Sequence, residues 1–334
     1  MIDPFVSILM PVRNEEKFLK AALASIKAQT FQEWELVVVD DGSTDGTGGI
    51  LAAAAADERI RVVQNSCRGL VAALNLGLAE CRGVFIARMD GDDISHPERL
   101  ARQLKVFAGS PATGLVAASF RHFPRSGLKI GMLAYEAWQN SLTSHERIMA
   151  DIFVESPFVH PGVMFRKKII DRLGGYRDMG WPEDYDLWLR MAADGVLFAK
   201  TAEPLIFWRD RLQRATRTMA EYSADAFRRC KAHHLQSGFL KDSTDVILAG
   251  AGKEGRAWQR VLAEIGIKVS QWVDVDPKKR GRTLHGAEIA APADISPAQG
   301  KMLVTVGTRG ARAGIREWAA AAGFVEGADF VCVT

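Results

Sequence analysis

Cysteine is scarce in this sequence, and its spacing argues against two kinds of site. The four cysteines, Cys67, Cys81, Cys230 and Cys332, lie far apart, and no two of them form a C-x-x-C pair. Structural zinc sites and disulfide frameworks are built from closely spaced or paired cysteines. Neither kind of site is therefore indicated, and the composition fits a reducing compartment.

A large excess of one charge is also missing. The chain has 43 basic and 40 acidic residues, which gives a formal net charge of +3. Proteins dedicated to nucleic acid normally carry a pronounced basic excess. We therefore expect that the protein has no nucleic-acid partner.

Long apolar runs are absent as well. No stretch approaches the roughly 18 to 20 apolar residues that span a bilayer, and the N-terminus lacks the basic start and apolar core of a signal peptide. We expect a cytoplasmic protein, either free in solution or attached peripherally to the inner face of the cell membrane. Hydrophobic residues still make up 48% of the 334 residues, which is enough for a substantial core and for two domains.

The most informative segment is an apolar strand pattern that runs directly into three carboxylates, Asp90, Asp92 and Asp93. Such a strand suits the middle of a parallel sheet, which presents ligand-binding residues at its carboxyl edge. The three carboxylates repel one another unless a positive charge lies among them, and Mg²⁺ or Mn²⁺ prefers oxygen ligands of this kind. Gly91, which has no side chain, is expected to open the backbone to a ligand. The alternative is an acidic turn before a helix, because residues 95–98 resemble a capping box.

A second strand pattern delivers carboxylates in the same way. Residues 36–39 are apolar, and Asp40 and Asp41 follow them directly. Further strand patterns occur at residues 5–10, 60–63 and 84–88. They alternate with helical patterns, which predicts a parallel sheet with right-handed crossovers and a pocket where the aspartates meet. Asn14 is expected to cap the first of these helices.

Acidic residues recur at the start of a later helical pattern. Glu183 and Asp184 lie in the first turn of a pattern that continues through Trp188 and Leu189. Acids at this place interact favourably with the helix dipole by ~0.3–1 kcal/mol, which explains either of them alone. A general base would also be held there, with its carboxylate in the cleft. The residues by themselves leave both interpretations open.

The chain becomes basic between about residues 205 and 240, where we predict a helical segment. Its basic residues are Arg209, Arg211, Arg214, Arg217, Arg228, Arg229 and Lys231. They form either a solvated helix face or a surface for phosphate or anionic lipid. The preceding residues 121–152 have weak periodicity, and their elements cannot be ordered from the sequence.

A change in composition near residue 241 divides the chain into predicted domains of residues 1–240 and 241–334. The second domain opens with a strand and a G-x-G-x-x-G turn, and an acid follows about 20 residues later, as in dinucleotide-binding proteins. The residues of this fingerprint are Gly250, Gly252, Gly255 and Asp274. A second strand is predicted at residues 269–273, directly before this acid. Only two later strands are predicted, near residues 302–306 and 330–333, which is too little sheet for a complete dinucleotide site. We therefore expect a small Rossmann-like α/β module without bound NAD(P).

Several segments occur together in the order and spacing of one known family. They are residues 6–16 (VSILMPVRNEE), 39–45 (VDDGSTD), 87–93 (ARMDGDD), 160–161 (HP) and 183–190 (EDYDLWLR). Residues 5 to about 210 resemble the family 2 glycosyltransferases, and the resemblance does not extend over residues 245–334. It implies an α/β GT-A nucleotide-diphospho-sugar transferase fold. It also implies transfer of a sugar from a nucleoside diphosphate donor to a glycan or glycolipid hydroxyl, usually with inversion, in cell-surface polysaccharide synthesis.

The resemblance implies roles for individual residues. By position, the donor nucleotide contacts are Pro11, Arg13, Glu15, Asp41 and Asp90. Asp41 should bind the base, typically uracil, although Arg13 stands where many relatives carry an aromatic residue. Asp90 and Asp92 match the DxD element that holds Mn²⁺ or Mg²⁺, with Asp92 as the direct ligand and Asp90 nearer the ribose. Asp184 matches the catalytic base.

Some contacts and functions stay open at this point. His160, Glu183 and Arg209 are candidates for contacts with the acceptor or with phosphate. The C-terminal module could orient the acceptor, mediate self-association or bind a second nucleotide. An NAD(P)-linked oxidoreductase is the alternative function, but no catalytic tyrosine–lysine pair is evident near the glycine-rich turn. A non-catalytic nucleotide-sugar sensor is a third hypothesis, and it would not need Asp184.

Overall fold

The computed structural model describes residues 4–211, 214, 218–308 and 310–334. These residues group into two compact units. Of the described residues, the first unit comprises 4–148, 157–179, 183–211 and 214, and the second comprises 149–156, 180–182, 218–308 and 310–334. The division into domains after residue 240 stays a prediction, since packing does not test which segments fold independently.

Within the described residues, the first unit is built on a sheet of eight strands. They are β1 (Val6–Val12), β2 (Trp34–Asp40), β3 (Ile60–Gln64), β4 (Phe85–Arg88), β5 (Ile94–Ser95), β6 (Thr113–Phe123), β7 (Val163–Arg166) and β8 (Leu197–Arg209). Their order in the sheet is β3-β2-β1-β4-β7-β6-β8-β5. The first four are parallel, β7 is antiparallel to both of its neighbours, β8 is parallel to β6, and β5 is antiparallel to β8. The predicted α/β fold with a mainly parallel sheet is confirmed.

Helices connect these strands. They are α1 (Leu19–Lys27), α2 (Thr47–Ala54), α3 (Leu70–Glu80), α4 (Arg99–Gly109), α5 (Ile130–Ser141), α6 (His145–Asp151), α7 (Lys167–Leu173) and α8 (Glu183–Ala193). The buried residues of α1 recur at the spacing of one helix face, as predicted. In α3, Gly77 lies so close to Leu9 of β1 and Val39 of β2 that a side chain at this position would collide with both. The helix therefore packs directly on the strands that lead into the site.

Three local predictions are wrong. Asn14 does not cap α1, because the helix begins at Leu19, and the Asn14 side chain instead accepts a hydrogen bond from the Thr44 amide at 2.8 Å. Residues 95–98 form no capping box, since Ser95 ends β5 and no side chain caps α4. The segment from residue 205 is not helical at its start, because β8 continues to Arg209.

The second unit is a smaller α/β structure. Its described strands are β9 (Asp245–Ala249), β10 (Lys268–Val273), β11 (Thr283–Leu284), β12 (Ala287–Ala290), β13 (Met302–Val304) and β14 (Phe330–Cys332). Its helices are α9 (Ala224–Ser237), α10 (Lys253–Glu264) and α11 (Ala311–Ala321). The strand order is β11-β12-β10-β9-β13-β14, with only the β11–β12 pair antiparallel. The predicted α/β module is confirmed, but it contains more sheet than expected, because β11 and β12 were not foreseen.

Helix α9 packs into this second unit through its basic residues. Arg228 pairs with Glu254 of α10, with 2.7 Å between Nε and a carboxylate oxygen. Lys231 is buried, and its ammonium donates to the carbonyls of Val154 at 2.7 Å and Val333 at 3.1 Å. For these two residues the predicted solvated or lipid-binding helix face is therefore wrong. None of the described helices is long and apolar enough to cross a membrane.

Candidate active site

Three carboxylates meet in the turn after β4, in the middle of the first unit's sheet. One carboxylate oxygen from each of Asp90, Asp92 and Asp93 lies within 4.8 Å of the other two. Asp92 and Asp93 are buried, and Asp90 is partly buried. Gly91 does not open the backbone to a ligand, because a Cβ atom there would lie 2.8 Å from Cγ1 of Val12. It instead allows the acidic turn to pack against the end of β1.

The three aspartates differ in their electrostatic environment. Burial, followed by repulsion from Asp90, raises the pKa of Asp92. Burial also raises the pKa of Asp93 well above its usual value, and Asp92 and Asp90 add to this effect. Burial acts to raise the pKa of Asp90 too, but the charges of Arg88 and His160 outweigh it and the pKa is lowered. Asp92 and Asp93 therefore lack sufficient positive charge, whereas Asp90 is already compensated.

Two buried arginines support this turn, and sequence reasoning missed both of them. Arg88, the last residue of β4, forms an ion pair with Asp90. Arg99 of α4 is fully buried, and its guanidinium donates to the carbonyls of Arg88 at 2.8 Å and Val163 at 3.2 Å. Burial lowers the pKa of Arg99 to about 9. A basic residue inside an apolar strand could have identified Arg88, but nothing in the sequence around Arg99 indicates its contacts.

Arg209 lies against the acidic turn rather than on a solvated helix. Its backbone amide donates to Asp93 Oδ1 at 2.7 Å, and its Nε donates to the carbonyl of Asp92 at 2.6 Å. Its guanidinium lies 4.3 Å from the ring centres of both Phe18 and Phe123. These contacts hold the end of β8 over the carboxylates, so Arg209 has a structural role that does not depend on acceptor or phosphate.

Two further arginines supply positive charge to the same place. Arg211 Nε lies 2.7 Å from Asp92 Oδ2, and the other side of its guanidinium pairs with Glu15. Arg214 stacks on the Trp208 ring at 3.5 Å. Burial lowers the pKa of Arg214, and the charges of the three aspartates of the turn act to raise it. Arg217 lies outside the described residues. The basic segment thus begins as a set of counter-charges for the acidic cluster.

The acidic residues of this region fit a divalent cation. Glu15, in the loop after β1, has its pKa raised to about 7 by burial and then by Asp92, against the lowering effect of Arg211. Among the described residues, neither Glu15 Oε2 nor Asp93 Oδ2 has a hydrogen-bond partner, although both atoms are buried. Buried carboxylate oxygens without donors are costly, and oxygen atoms are the ligands that Mg²⁺ and Mn²⁺ prefer.

A second acidic position lies after β2. The Asp41 carboxylate accepts hydrogen bonds from Asn65 Nδ2 at 2.7 Å and from the Gly69 amide at 2.8 Å. Arg13 Nη1 lies 3.7 Å from Asp41 Oδ2, and half of the Arg13 side chain is exposed. Pro11 in β1 pairs with Val39 in β2, and these two residues lie two positions before Arg13 and Asp41. The residues predicted to contact the nucleoside therefore lie at the ends of neighbouring strands, and the sequence did not indicate that Asn65 and Gly69 orient Asp41.

Asp184 lies in the first turn of α8, as predicted, and is partly buried. Burial, followed by repulsion from Glu183, raises its pKa well above the usual value, while the charge of Arg88 acts in the opposite direction. One of its oxygens accepts a hydrogen bond from the Tyr185 amide at 2.7 Å. A carboxylate in this environment binds a proton more readily than an ordinary aspartate does, which suits a general base.

His160 connects the base region to the acidic turn. It lies in a 3₁₀ helix at His160–Gly162, and its Nε2 is hydrogen-bonded to the Tyr176 hydroxyl at 2.8 Å. Its Nδ1 lies 3.5 Å from Glu183 Oε1. Burial, followed by the charge of Arg88, lowers the pKa of His160. His160 thus contacts both Glu183 and Tyr176, and contact with an acceptor stays a prediction.

The predicted second nucleotide motif lies in the second unit, at the carboxyl end of β9. Gly250 and Gly252 precede α10, and Gly255 lies in its first turn. The carboxylate of Asp274 accepts a hydrogen bond from the Ala251 amide at 3.0 Å. The structure therefore brings all four residues of the motif together.

Known proteins that are similar to this chain include glycosyltransferases. The family model described as glycosyl transferase family 2 matches residues 7–174. EpsE of Bacillus subtilis (strain 168), described as a glycosyltransferase, is 33% identical over an alignment of 234 residues that covers 66% of this chain and 79% of EpsE. The O-antigen biosynthesis glycosyltransferase WbnJ of Escherichia coli is 28% identical over 243 residues, which are 72% of this chain and 90% of WbnJ.

Solved structures show the fold. TarS of S. aureus (residues 1–349) in complex with UDP-GlcNAc superposes with a TM-score of 0.57 at 19% identity, covering 78% of this chain and 70% of that one. The mannosyltransferase PcManGT of Pyrobaculum calidifontis, in complex with GDP-Man and Mn²⁺, gives 0.50 at 22% identity, covering 72% and 64%. The predicted GT-A fold is confirmed by these transferase structures. On the family model and the similarity to EpsE together, the chain belongs to glycosyl transferase family 2.

Proposed function

We propose that the protein is a metal-dependent, inverting glycosyltransferase that uses a nucleoside diphosphate sugar, with a UDP-sugar as the first candidate. The acceptor is a hydroxyl of a glycan or of a lipid-linked glycan in cell-surface polysaccharide synthesis at the cytoplasmic face of the membrane. One observation carries the proposal. Asp41 and the cluster of Asp90, Asp92 and Asp93 lie at the carboxyl ends of parallel strands of one sheet, and the charge of Arg88 reaches both Asp90 and Asp184.

Asp92 is the proposed direct metal ligand, and Asp90 would complete the metal site on the side nearer the donor ribose. The raised pKa of Asp92 and the unpartnered oxygens of Glu15 and Asp93 support this assignment. A bound Mn²⁺ or Mg²⁺ would neutralise the diphosphate and stabilise the negative charge on the leaving group. Arg211, which now pairs with Asp92, would then be available to the diphosphate oxygens.

Asp41 is the proposed contact to the nucleobase. Its carboxylate is a hydrogen-bond acceptor and is already oriented by Asn65 and Gly69. An ionised carboxylate favours a base that presents a ring N–H, which uracil and guanine do. The guanidinium of Arg13 could stack on the base in place of an aromatic ring. The TarS complex with UDP-GlcNAc favours uracil, while the PcManGT complex with GDP-Man makes guanine the competitor.

Asp184 is the proposed general base. Its carboxylate would accept the proton of the acceptor hydroxyl while the hydroxyl oxygen attacks the anomeric carbon opposite the leaving diphosphate. One displacement of this kind inverts the anomeric configuration and forms no sugar–enzyme intermediate. Repulsion from Glu183 and burial raise the proton affinity of Asp184, which supports the assignment.

Donor hydrolysis and transfer can be measured directly. The full chain is incubated with UDP-glucose, UDP-galactose, UDP-N-acetylglucosamine and GDP-mannose, each with Mn²⁺, with Mg²⁺ and with EDTA. Release of nucleoside diphosphate from one donor, only when a metal is present, is the expected result. Release at equal rates in EDTA would contradict the metal dependence, and preference for GDP-mannose would contradict the assignment of uracil.

A further inference from the structure

The second unit contains a cavity of about 700 Å³ that the glycosyl-transfer site does not involve. It is lined by residues at the carboxyl ends of β9, β10 and β13. In this sheet, β10 lies on one side of β9 and β13 on the other, so the strand order reverses at β9. Open α/β sheets bind their ligands in the crevice at such a reversal, in cavities of roughly 300–1,000 Å³.

The three glycines of the motif after β9 differ in whether the backbone requires a glycine at their position. Gly250 has a φ of +113°, and a Cβ atom on Gly255 would collide with the Gly250 carbonyl. Gly252 has a φ of −92°, which any residue adopts, and no described atom lies within 4 Å of the place where its Cβ would be. The backbone therefore does not require a glycine at 252. Because Gly252 lines the cavity, its missing side chain leaves room for a ligand to approach the backbone.

The polar lining suits a phosphate and a sugar hydroxyl. The amide groups at the start of α10 and the ammonium groups of Lys253 and Lys279 favour an anion at this end of the cavity. The Asp274 carboxylate accepts from the amides of Ala251 at 3.0 Å and Asp276 at 2.9 Å, and Lys279 donates to it at 2.8 Å. A carboxylate has about four acceptor positions, so one position remains for a hydroxyl group.

The remaining lining is largely apolar. It includes Val275, which is 75% exposed, together with Pro292, Ile315 and Trp318. We propose that the cavity binds a nucleoside phosphate, with its phosphate on the glycine turn, a ribose hydroxyl on Asp274 and its base against the apolar wall. This site is separate from the donor site and does not rest on the transfer reaction.

The test is calorimetric titration of the full chain in EDTA with AMP, ADP-ribose, NAD⁺ and UMP. Gly252→Asp places a carboxylate in the open space, and Gly252→Val adds volume without charge. Gly131→Asp, near the start of α5, is the matched control. A Cβ atom on Gly131 would also have no described atom within 4 Å, and Gly131 belongs to the first unit. Asp41→Asn tests whether the donor site contributes to the binding.

We expect saturable binding of at least one nucleotide, weakened about tenfold or more by both Gly252 variants. The Gly131→Asp and Asp41→Asn variants should bind it as the unsubstituted chain does. The proposal fails if none of the four nucleotides binds, if binding persists in both Gly252 variants, or if Asp41→Asn abolishes it. The first two of these results leave the metal-dependent donor site untouched, so the two proposals can fail separately.

Discussion

Replacing Asp184 with asparagine should separate catalysis from donor binding. The substitution keeps the shape of the side chain but removes the carboxylate that would accept the hydroxyl proton. Loss of a general base costs about 10²–10⁴-fold in rate, which is about 3–5 kcal/mol of activation free energy. We expect kcat for sugar transfer to fall by this factor, while the Kd for the nucleoside diphosphate stays within about twofold. Steady-state transfer kinetics and calorimetric titration measure the two quantities.

The same substitution should stabilise the folded protein. Because burial and Glu183 raise the pKa of Asp184, between about pH 4 and that raised pKa the folded state holds a proton that the unfolded chain, with a pKa of about 3.9, has already released. The wild-type protein therefore loses stability as the pH rises from about 4 through the raised pKa, by about 1.4 kcal/mol per unit of displacement. Asp184→Asn removes this loss. Its free energy of urea unfolding should exceed that of the wild type at neutral pH, and the difference should shrink toward pH 4.

A matched control is Asp225→Asn in the first turn of α9, where the carboxylate is exposed. This variant should keep wild-type transfer and change the free energy of unfolding by no more than about 0.5 kcal/mol. Transfer by Asp184→Asn within about threefold of wild type would refute the assignment of the base. A lower free energy of unfolding for Asp184→Asn than for the wild type at neutral pH would refute the electrostatic reasoning, because removing the buried repulsion between Asp184 and Glu183 should raise it.

Three other substitutions test the acidic cluster. Asp92→Asn should abolish the metal-dependent part of the thermal stabilisation by UDP, and stabilisation that still depends on Mn²⁺ would remove Asp92 from the metal site. Arg88→Met should lower the free energy of unfolding by about 3–5 kcal/mol in urea, because it leaves the Asp90 carboxylate without its ion pair; a loss below about 1 kcal/mol would contradict this. Glu15→Gln should flatten the pH dependence of stability, since a pKa raised from 4.5 to about 7 costs the wild type up to about 3 kcal/mol as the pH rises across that window. If the free energy of unfolding of Glu15→Gln, measured in urea, fell with pH between 4.5 and 7 as steeply as that of the wild type, the pKa of Glu15 would not be raised in the folded protein.

The sequence was most informative where strands end. Apolar runs before Asp41 and before Asp90 predicted parallel strands that carry acids to one edge, and β2 and β4 do so. This prediction works because a strand's position in a parallel sheet and the cost of burying carboxylates both follow from local composition. The first turn of α8 at Asp184 could be predicted because helical spacing and acids at a helix start are also local features of the sequence.

Contacts between distant segments could not be predicted. Arg99 donates hydrogen bonds to the carbonyls of Arg88 and Val163, which are 11 and 64 residues away in the sequence. The assignment of Gly91 was wrong because its freedom from a side chain serves packing against Val12, and glycine alone does not tell the two uses apart. Asparagine is a common helix-capping residue, but the side chain of Asn14 instead accepts a hydrogen bond from the Thr44 amide in the loop after β2.

In the second unit, the shortest strands could not be predicted from the sequence. Strands β11 and β12 have two and four residues, too few for an alternating pattern to be distinguished from a loop. Counting only the longer patterns led to a sheet that was too small. The glycine turn was nevertheless placed correctly at the end of β9, because its spacing depends on local backbone geometry.

The most direct measurement is calorimetric titration of the full chain with UDP and GDP, each with Mn²⁺ and with EDTA, in the wild type and in Asp92→Asn. We expect tight binding of UDP in the wild type with Mn²⁺, and at least about tenfold weaker binding when either the metal or the Asp92 carboxylate is removed. Gly252→Asp should leave this metal-dependent binding unchanged. Equal affinity for UDP with and without Mn²⁺, or an undiminished metal effect in Asp92→Asn, would contradict the proposed metal-dependent donor site.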